Sequence, residues 1–272
     1  IRAIEYINND AERMKNYDLL FPQIRKLANT GDMIAGFHVG RCYEKGQGVA
    51  HDYFQAIKWY EKSAEAGYSP AQSSLGLMYS RGNRVDLNYE KALRLLNKAA
   101  KFENAVAQCR LGVMYYNGEG VEQNYKEAIV WYKRAAEQGH PTAQCNLGIM
   151  YHNGEGVKQN YIKAVEWYKK SAEAGDDWGM YNLAGCYRDG EGVEKDKEKA
   201  IEWFNKAYEK NGEAAGDAAN SIGVIYSGDY DVEKDDAKQL EWCRKSAEKG
   251  FDWGMYNLGA VCWGATFRSD TM

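Results

Sequence analysis

The chain has 272 residues, of which 44% are hydrophobic and 27% charged, the balance of a folded protein with a water-facing surface. Its net charge of −4 argues against a general nucleic-acid surface, and no run of about 18 apolar residues is present to cross a membrane. Three prolines against 28 glycines and 21 tyrosines point to helices punctuated by glycine.

The opening residues, "IRAIEYINND", show neither a basic start nor an apolar signal core and lack an initiator Met, so the sequence reads as processed or trimmed. From Asn16, "NYDLLFPQIRKLANTGD" aligns with "NYKEAIVWYKRAAEQGH" three periods downstream, which makes residues 1–34 a half repeat. Full repeats then start at Ala35, Ala71, Ala107, Ala143 and Gly179, each 36 residues apart. The next starts at Ala218 after 39, because "NGEAAGD" adds three residues, and the last at Gly254. The units are therefore 35–70, 71–106, 107–142, 143–178, 179–217 and 218–253, with a partial repeat at 254–272, all in one array.

Each unit spells two helices. In the first, a small residue, Leu, a second small residue and Tyr recur at helical spacing, as in Ala107, Leu111, Gly112 and Tyr115. In the second, Tyr125, Ala128, Ile129, Tyr132 and Ala136 share one helical face, and a glycine such as Gly139 ends the helix. The small residue after Leu costs roughly 1 kcal/mol of helix propensity where it is Gly, a cost that predicts a close approach by the paired helix. Trp59, Trp131, Trp167, Trp203 and Trp242 recur in the second helix, with Leu95 replacing the ring once, and are expected to fill the space between units. No unit can bury its apolar face alone, so stacking must supply the core.

Between the helices stands a loop written "YYNGEGV" at Tyr115, a glycine-rich form that could cradle a phosphate. A nucleotide loop is normally made once, after a strand and before a helix. This one follows a helix, occurs six times, and loses its second Gly to Arg84 and Asp231. It reads as structural.

The pattern A-x3-LG-x2-Y-x2-G-x-GV, then Y-x2-A-x2-WY-x2-AA-x2-G, resembles the Sel1-like repeat family, relatives of tetratricopeptide repeats with a longer interhelical loop. The resemblance runs from about Asn16 to Gly259. It implies an all-α fold, a right-handed α-α superhelix (solenoid) of Sel1-like, TPR-like helix pairs whose first helices line a concave surface. It also implies an adaptor or scaffold role. Departures are Arg84 and Asp231 in the loops, Gln239 at a small position, and Lys197 and Asp236 where Tyr is usual. The tail, with Trp263 and Phe267, lacks the polar cap an array needs and reads as a cut within a longer array, or else as a partner surface.

Candidate chemistry is sparse. Cys42 and Cys186 occupy positions filled elsewhere by Met, Ile or Val and read as core residues, while Cys109 and Cys145 hold equivalent places one repeat apart, farther than a disulfide spans, at position 2 of the first helix; reduced thiols are expected. Cys243 and Cys262 form the one pair that neighbouring helices could bring together. Reduced thiols lean toward the cytoplasm, while the missing chain start leaves secreted or periplasmic settings open. The histidines and "DYDVEK" complete no metal set, and no cofactor is expected. "SAEK", Ser246 to Lys249, matches the S-x-x-K of penicillin-recognising enzymes. Sister units read "SAEA", and no S-D-N or K-T-G follows. β-Lactam activity is associated with some similar Sel1-like proteins, so a hydrolase acting on β-lactams or peptidoglycan is the alternative, beside a secreted effector engaging host proteins.

If the first helices line the groove, positions −1, 2, 3, 6, 9 and 10 of each unit face a ligand. "WGMYNL" occurs twice and aligns Trp178, Tyr181 and Asn182 with Trp253, Tyr256 and Asn257; Asn146 extends this ladder, and Tyr116, His152, Arg110 and Arg188 complete the candidate set. Rings can bury the side chains of an extended peptide while an amide both donates to and accepts from its backbone. Arg41, Lys45, Arg81, Arg110 and Arg188 outnumber Glu44, Asp189 and Asp217 among these positions, a hint of an acidic or carboxylate-ended protein partner. Nucleic-acid binding and membrane insertion are not expected, and no catalytic residue is assigned.

Overall fold

The computed structural model describes residues 17–229 and 234–259, and all regular structure among them is helical. The helices are α1 Tyr17–Ala28, α2 Met33–Lys45, α3 Tyr53–Glu65, α4 Ser69–Arg81, α5 Tyr89–Ala100, α6 Ala105–Asn117 and α7 Tyr125–Glu137. They continue as α8 Pro141–Asn153, α9 Tyr161–Glu173, α10 Asp177–Asp189, α11 Lys197–Glu209, α12 Ala215–Val224 and α13 Asp236–Glu248. A π-helical turn, Ile225–Asp229, follows α12, and residues 252–259 are helical. First helices are therefore α2, α4, α6, α8, α10 and α12, and each pairs with the second helix after it. The all-α solenoid class expected from the repeat is what is observed. The chain divides into two compact units, one up to Arg134 and one from Ala135, the division falling inside α7.

Local chemistry explains why most of the helices start where they do. Asp32, Asp52, Asn88, Asn104, Asn160, Asp176, Asp196 and Asp235 are N-caps whose side chains accept a hydrogen bond from the backbone N–H three residues on. The second-helix starts at Lys197 and Asp236 lack the usual Tyr yet hold, because Lys199 and Lys238 bridge back to the capping carboxylates of Asp196 and Asp235. Lys199's hydrogen bond keeps the Asp196 carboxyl below its ordinary range.

One cap differs. His140 caps α8 through Nδ1, which accepts from the Ala143 N–H at 3.3 Å, so the imidazole must be neutral there. Burial lowers its pKa below the ordinary 6.5, against an opposing pull from Asp176. A depressed folded pKa contributes stability that is present above 6.5 and lost as pH falls through the folded value. His140→Asn keeps the cap without the proton site; its urea midpoint should match the parent at pH 7.5 and exceed it at pH 5.

The repeated loop is a lock. Gly46, Gly82, Gly118, Gly154 and Gly190 end first helices in the left-handed region, φ between 62° and 78°. Six times the N-cap N–H of the second helix donates to the Tyr carbonyl at the end of the first, from Asp52 to Tyr43 through Asp235 to Tyr226. Gln123 and Gln159 add a clamp, each donating to the carbonyl of Tyr116 or His152 and to the hydroxyl of Tyr125 or Tyr161. The second Gly of the loop lies against the start of the preceding second helix: a Cβ on Gly192 would stand 2.4 Å from the Tyr161 carbonyl. Arg84 keeps φ at 66° in place of that Gly and lays its guanidinium over Tyr53. Asp231 lies outside the described residues.

Packing bears out the small residue. A Cβ on Gly40, Gly112 or Gly148 would stand 2.5–2.7 Å from the ring of Tyr60, Tyr132 or Tyr168, rings that are 1–2% exposed. The tryptophans differ from expectation. Only Trp59 is buried, and every ring of the series lies under a cation one turn on: Lys62 on Trp59, Arg134 on Trp131, Lys170 on Trp167, Lys206 on Trp203 and Lys245 on Trp242, at 3.8–4.9 Å. The neighbouring Tyr or Phe fills the core, and Trp covers its edge.

Candidate functional site

In the second unit, α8 and α10 lie side by side and leave a depression of about 330 Å³. His152 and Asn153 from α8 and Tyr181, Asn182, Arg188 and Asp189 from α10 form its walls, with Glu191 from the following loop. Tyr168, Cys186 and Phe204 form its floor. Four residues nominated by sequence thus converge: His152, Tyr181, Asn182 and Arg188.

Their bonding is specific. His152 Nε2 lies 2.7 Å from Glu191 Oε2, and its Nδ1 lies 3.1 Å from Asn153 Oδ1. Arg188 forms a bidentate pair with Asp189 at 2.9 and 2.6 Å. Tyr181 sets its ring against Phe204, centroids 5.4 Å apart, and meets Trp178 edge-on at 5.6 Å. Asn182 Nδ2 donates to the thiol of Cys145 at 3.5 Å, a weak acceptor. The second "WGMYNL" repeats this arrangement: Trp253 meets Tyr256 at 5.8 Å and 81°, and Asn257 donates to Asn220 Oδ1 at 2.8 Å. Trp178, Trp253 and Tyr256 are 36%, 63% and 67% exposed. Asn146 is half-buried.

In the first unit, Arg110 is enclosed, donating through Nε to Ser80 Oγ at 2.8 Å, to the Ser80 carbonyl at 3.0 Å, and to Glu119. Tyr116 packs on Tyr125, centroids 5.2 Å apart.

Two expectations change. Position 2 belongs partly to the packing between first helices: Ser73, Cys109 and Cys145 are buried there, because the residue at position 3 of the next repeat covers it where Asn182 meets Cys145. The positive excess counted from the helices also disappears, since the loop acids Glu119 and Glu191 turn onto Arg110 and His152. Sequence reasoning passed over these acids by treating the loop as structural alone. The signal was present as Glu between the two glycines in three successive repeats.

Cys42, Cys109, Cys145, Cys186 and Cys243 are buried thiols, and burial pushes Cys186 up to about 12 and Cys42 to about 11. Cys262, and with it the pair suggested for Cys243, lies outside the described residues. Ser246 is fully buried and donates to the Gly216 carbonyl at 2.7 Å, as Ser63 does to Met33 and Ser171 to Pro141. Lys249 instead bonds Asn211 and lies over Tyr208. The S-x-x-K match is thus a helix-packing serine shared by three repeats. Among the described residues there is no His/Cys/Asp/Glu cluster able to hold a metal, and no helix is long and apolar enough to cross a membrane.

The Sel1 repeat family model matches residues 35–68, 69–101, 105–140, 141–176, 179–212 and 216–251. A Sel1 repeat protein from Oxalobacter formigenes is similar in structure, with TM-score 0.79 and 32% identity over 90% of this chain and 95% of that one. A protective antigen of uropathogenic Escherichia coli with the same repeat fold gives TM-score 0.76 and 34% identity over 95% of this chain, which spans 55% of the antigen. DAP3-binding cell death enhancer 1 of Rattus norvegicus is 51% identical over 45 residues, 16% of this chain and 9% of that protein. Six family matches in tandem, each coinciding with a helix pair closed by the same loop lock, establish that the chain belongs to the Sel1 repeat family.

Proposed function

We propose that this chain is a non-catalytic adaptor that holds an extended peptide segment of a partner protein along the first helices of its second unit. Sel1 repeats generally serve as protein–protein interaction scaffolds. The observation that carries the finer reading is the depression between α8 and α10, flanked by the exposed edge of Trp178. Exposed aromatic edges bury side chains at low conformational cost. Asn182 spends its amide N–H₂ on a thiol, so exchanging that bond for a peptide carbonyl costs little.

The charges refine the ligand. Arg110 and Arg188, on which an acidic or carboxylate-ended partner would rely, are each held by a neighbouring acid. A ligand carboxylate would have to displace Glu119 or Asp189, whereas a neutral extended segment displaces neither.

Selecting a random peptide library on the full chain tests this reading. Selected peptides should lose about tenfold in affinity on Asn182→Ala or Trp178→Ala, with far-UV circular dichroism and melting unchanged. Tyr181 is a poor choice because its ring packs on the buried Phe204. Peptides indifferent to both variants would overturn the site, and melting losses in step with affinity would reassign both residues to packing.

A further inference from the structure

The tryptophan series is broken once, at Leu95, and the structure shows what the break leaves. In the third repeat Trp131 packs against the cluster that contains Ala100 and Leu111. The same places one repeat earlier are Ala64 and Leu75, and there the space stays open. It is a pocket of about 150 Å³ on the first unit, walled by α3, α4 and α5. A cavity of that size has room for a benzene ring; here Ala64, Leu75 and Leu95 supply the apolar part of the lining, and Glu61, Glu65, Lys91, Arg94 and Lys98 the charged part.

The rim is as telling as the floor. Lys62, Arg134, Lys170, Lys206 and Lys245 each cover an indole. Lys98 holds the same register, borders the pocket, and has Leu95 where the others have a ring. Arg94 and Lys91 stand beside it. The equivalents of Arg94 are Lys58 in the first repeat, Val130 in the third and Glu166, Glu202 and Glu241 in the last three, so Arg94 is a cation that the later repeats lack and the only one of these positions that borders an open pocket rather than a tryptophan. Of the opposing acids, Glu61 hydrogen-bonds Tyr79 and Glu65 stands at the edge. The pocket therefore combines a ring-sized gap, at the place a tryptophan fills one repeat on, with a frame in which Lys91, Arg94 and Lys98 outnumber Glu61 and Glu65.

We propose that this pocket is a docking socket for a tryptophan side chain of a partner protein, one flanked by carboxylates. The ring takes the place that Trp131 fills in the next repeat, Lys98 covers its outer face as the sister cations do, and Arg94 pairs with a flanking acid. The socket lies in the other unit and shares no residue with the peptide surface proposed above, so neither reading depends on the other.

Calorimetric titration of the full chain with acetyl-Glu-Trp-Glu-amide tests it, with acetyl-Glu-Ala-Glu-amide and acetyl-Lys-Trp-Lys-amide as controls. The acidic tryptophan peptide should bind about tenfold more tightly than either control. Leu95→Trp, which restores the series, should abolish that binding and raise the melting temperature. Arg94→Glu, the residue of the last three full repeats, should weaken the acidic peptide while sparing the lysine-flanked one, and it keeps the test decisive if Leu95→Trp fails to fold. Absence of binding by the parent chain, equal affinity for all three peptides, or an unchanged affinity in Arg94→Glu would overturn the proposal.

Discussion

Gly192→Ala is expected to unfold the second unit at a markedly lower urea concentration, with a loss of about 3 kcal/mol or more. Two penalties coincide there. The backbone sits at φ 75°, where an L side chain costs roughly 1–2 kcal/mol. The new Cβ would also stand 2.4 Å from the carbonyl of Tyr161, a backbone group that cannot rotate away. Gly139→Ala separates the two terms, because φ is 83° but nothing lies within 4 Å. That variant should lose only the conformational part, about 1–2 kcal/mol. Equal losses at the two positions would show that the loop glycine does not brace the preceding helix.

The second large effect is expected inside a helix, where Ala ordinarily helps. Gly148→Ala gains roughly 1 kcal/mol of propensity, yet its Cβ meets the Tyr168 ring at 2.6 Å and the Ala164 carbonyl at 3.3 Å. The ring is 2% exposed and has nowhere to go. Overpacking a core costs roughly 1–3 kcal/mol, and at this separation it should win, lowering the melting midpoint. Gly185→Ala is the control, since nothing lies within 4 Å of its Cβ and only the propensity gain applies. Opposite signs at Gly148 and Gly185 are the expected result; a stabilised Gly148→Ala would mean the helices can separate freely.

These contrasts mark what the sequence could and could not disclose. The 36-residue period, the two helices and the close approach at Gly148 were legible because each is a local pattern repeated many times. The neutralised surface was not. Arg110 finds Ser80 across 30 residues, and Glu191 finds His152 across 39, distances over which periodicity does not say which side chain turns toward which. Cys145 was placed on an open face because helical counting treats one helix alone, whereas its burial comes from Asn182 of the next repeat. The covered tryptophans were readable in principle, since a cation stands three residues after each ring. Reading them required treating Trp as an edge residue rather than a core residue. The conformation of the candidate peptide surface thus depended on neighbours, and the fold on composition within each repeat.

The three residues by which the fifth repeat exceeds its sisters point to a rule about length. They fall in the turn after α11, where the Ala214 N–H donates to Asp177 Oδ2 at 2.9 Å and Asn211 adopts φ 55°. The glycine loop, wedged against backbone, offers no comparable slack. Insertions acquired in evolution, or an epitope grafted by design, should therefore be tolerated at the seams between modules, leaving the phase of every later module intact.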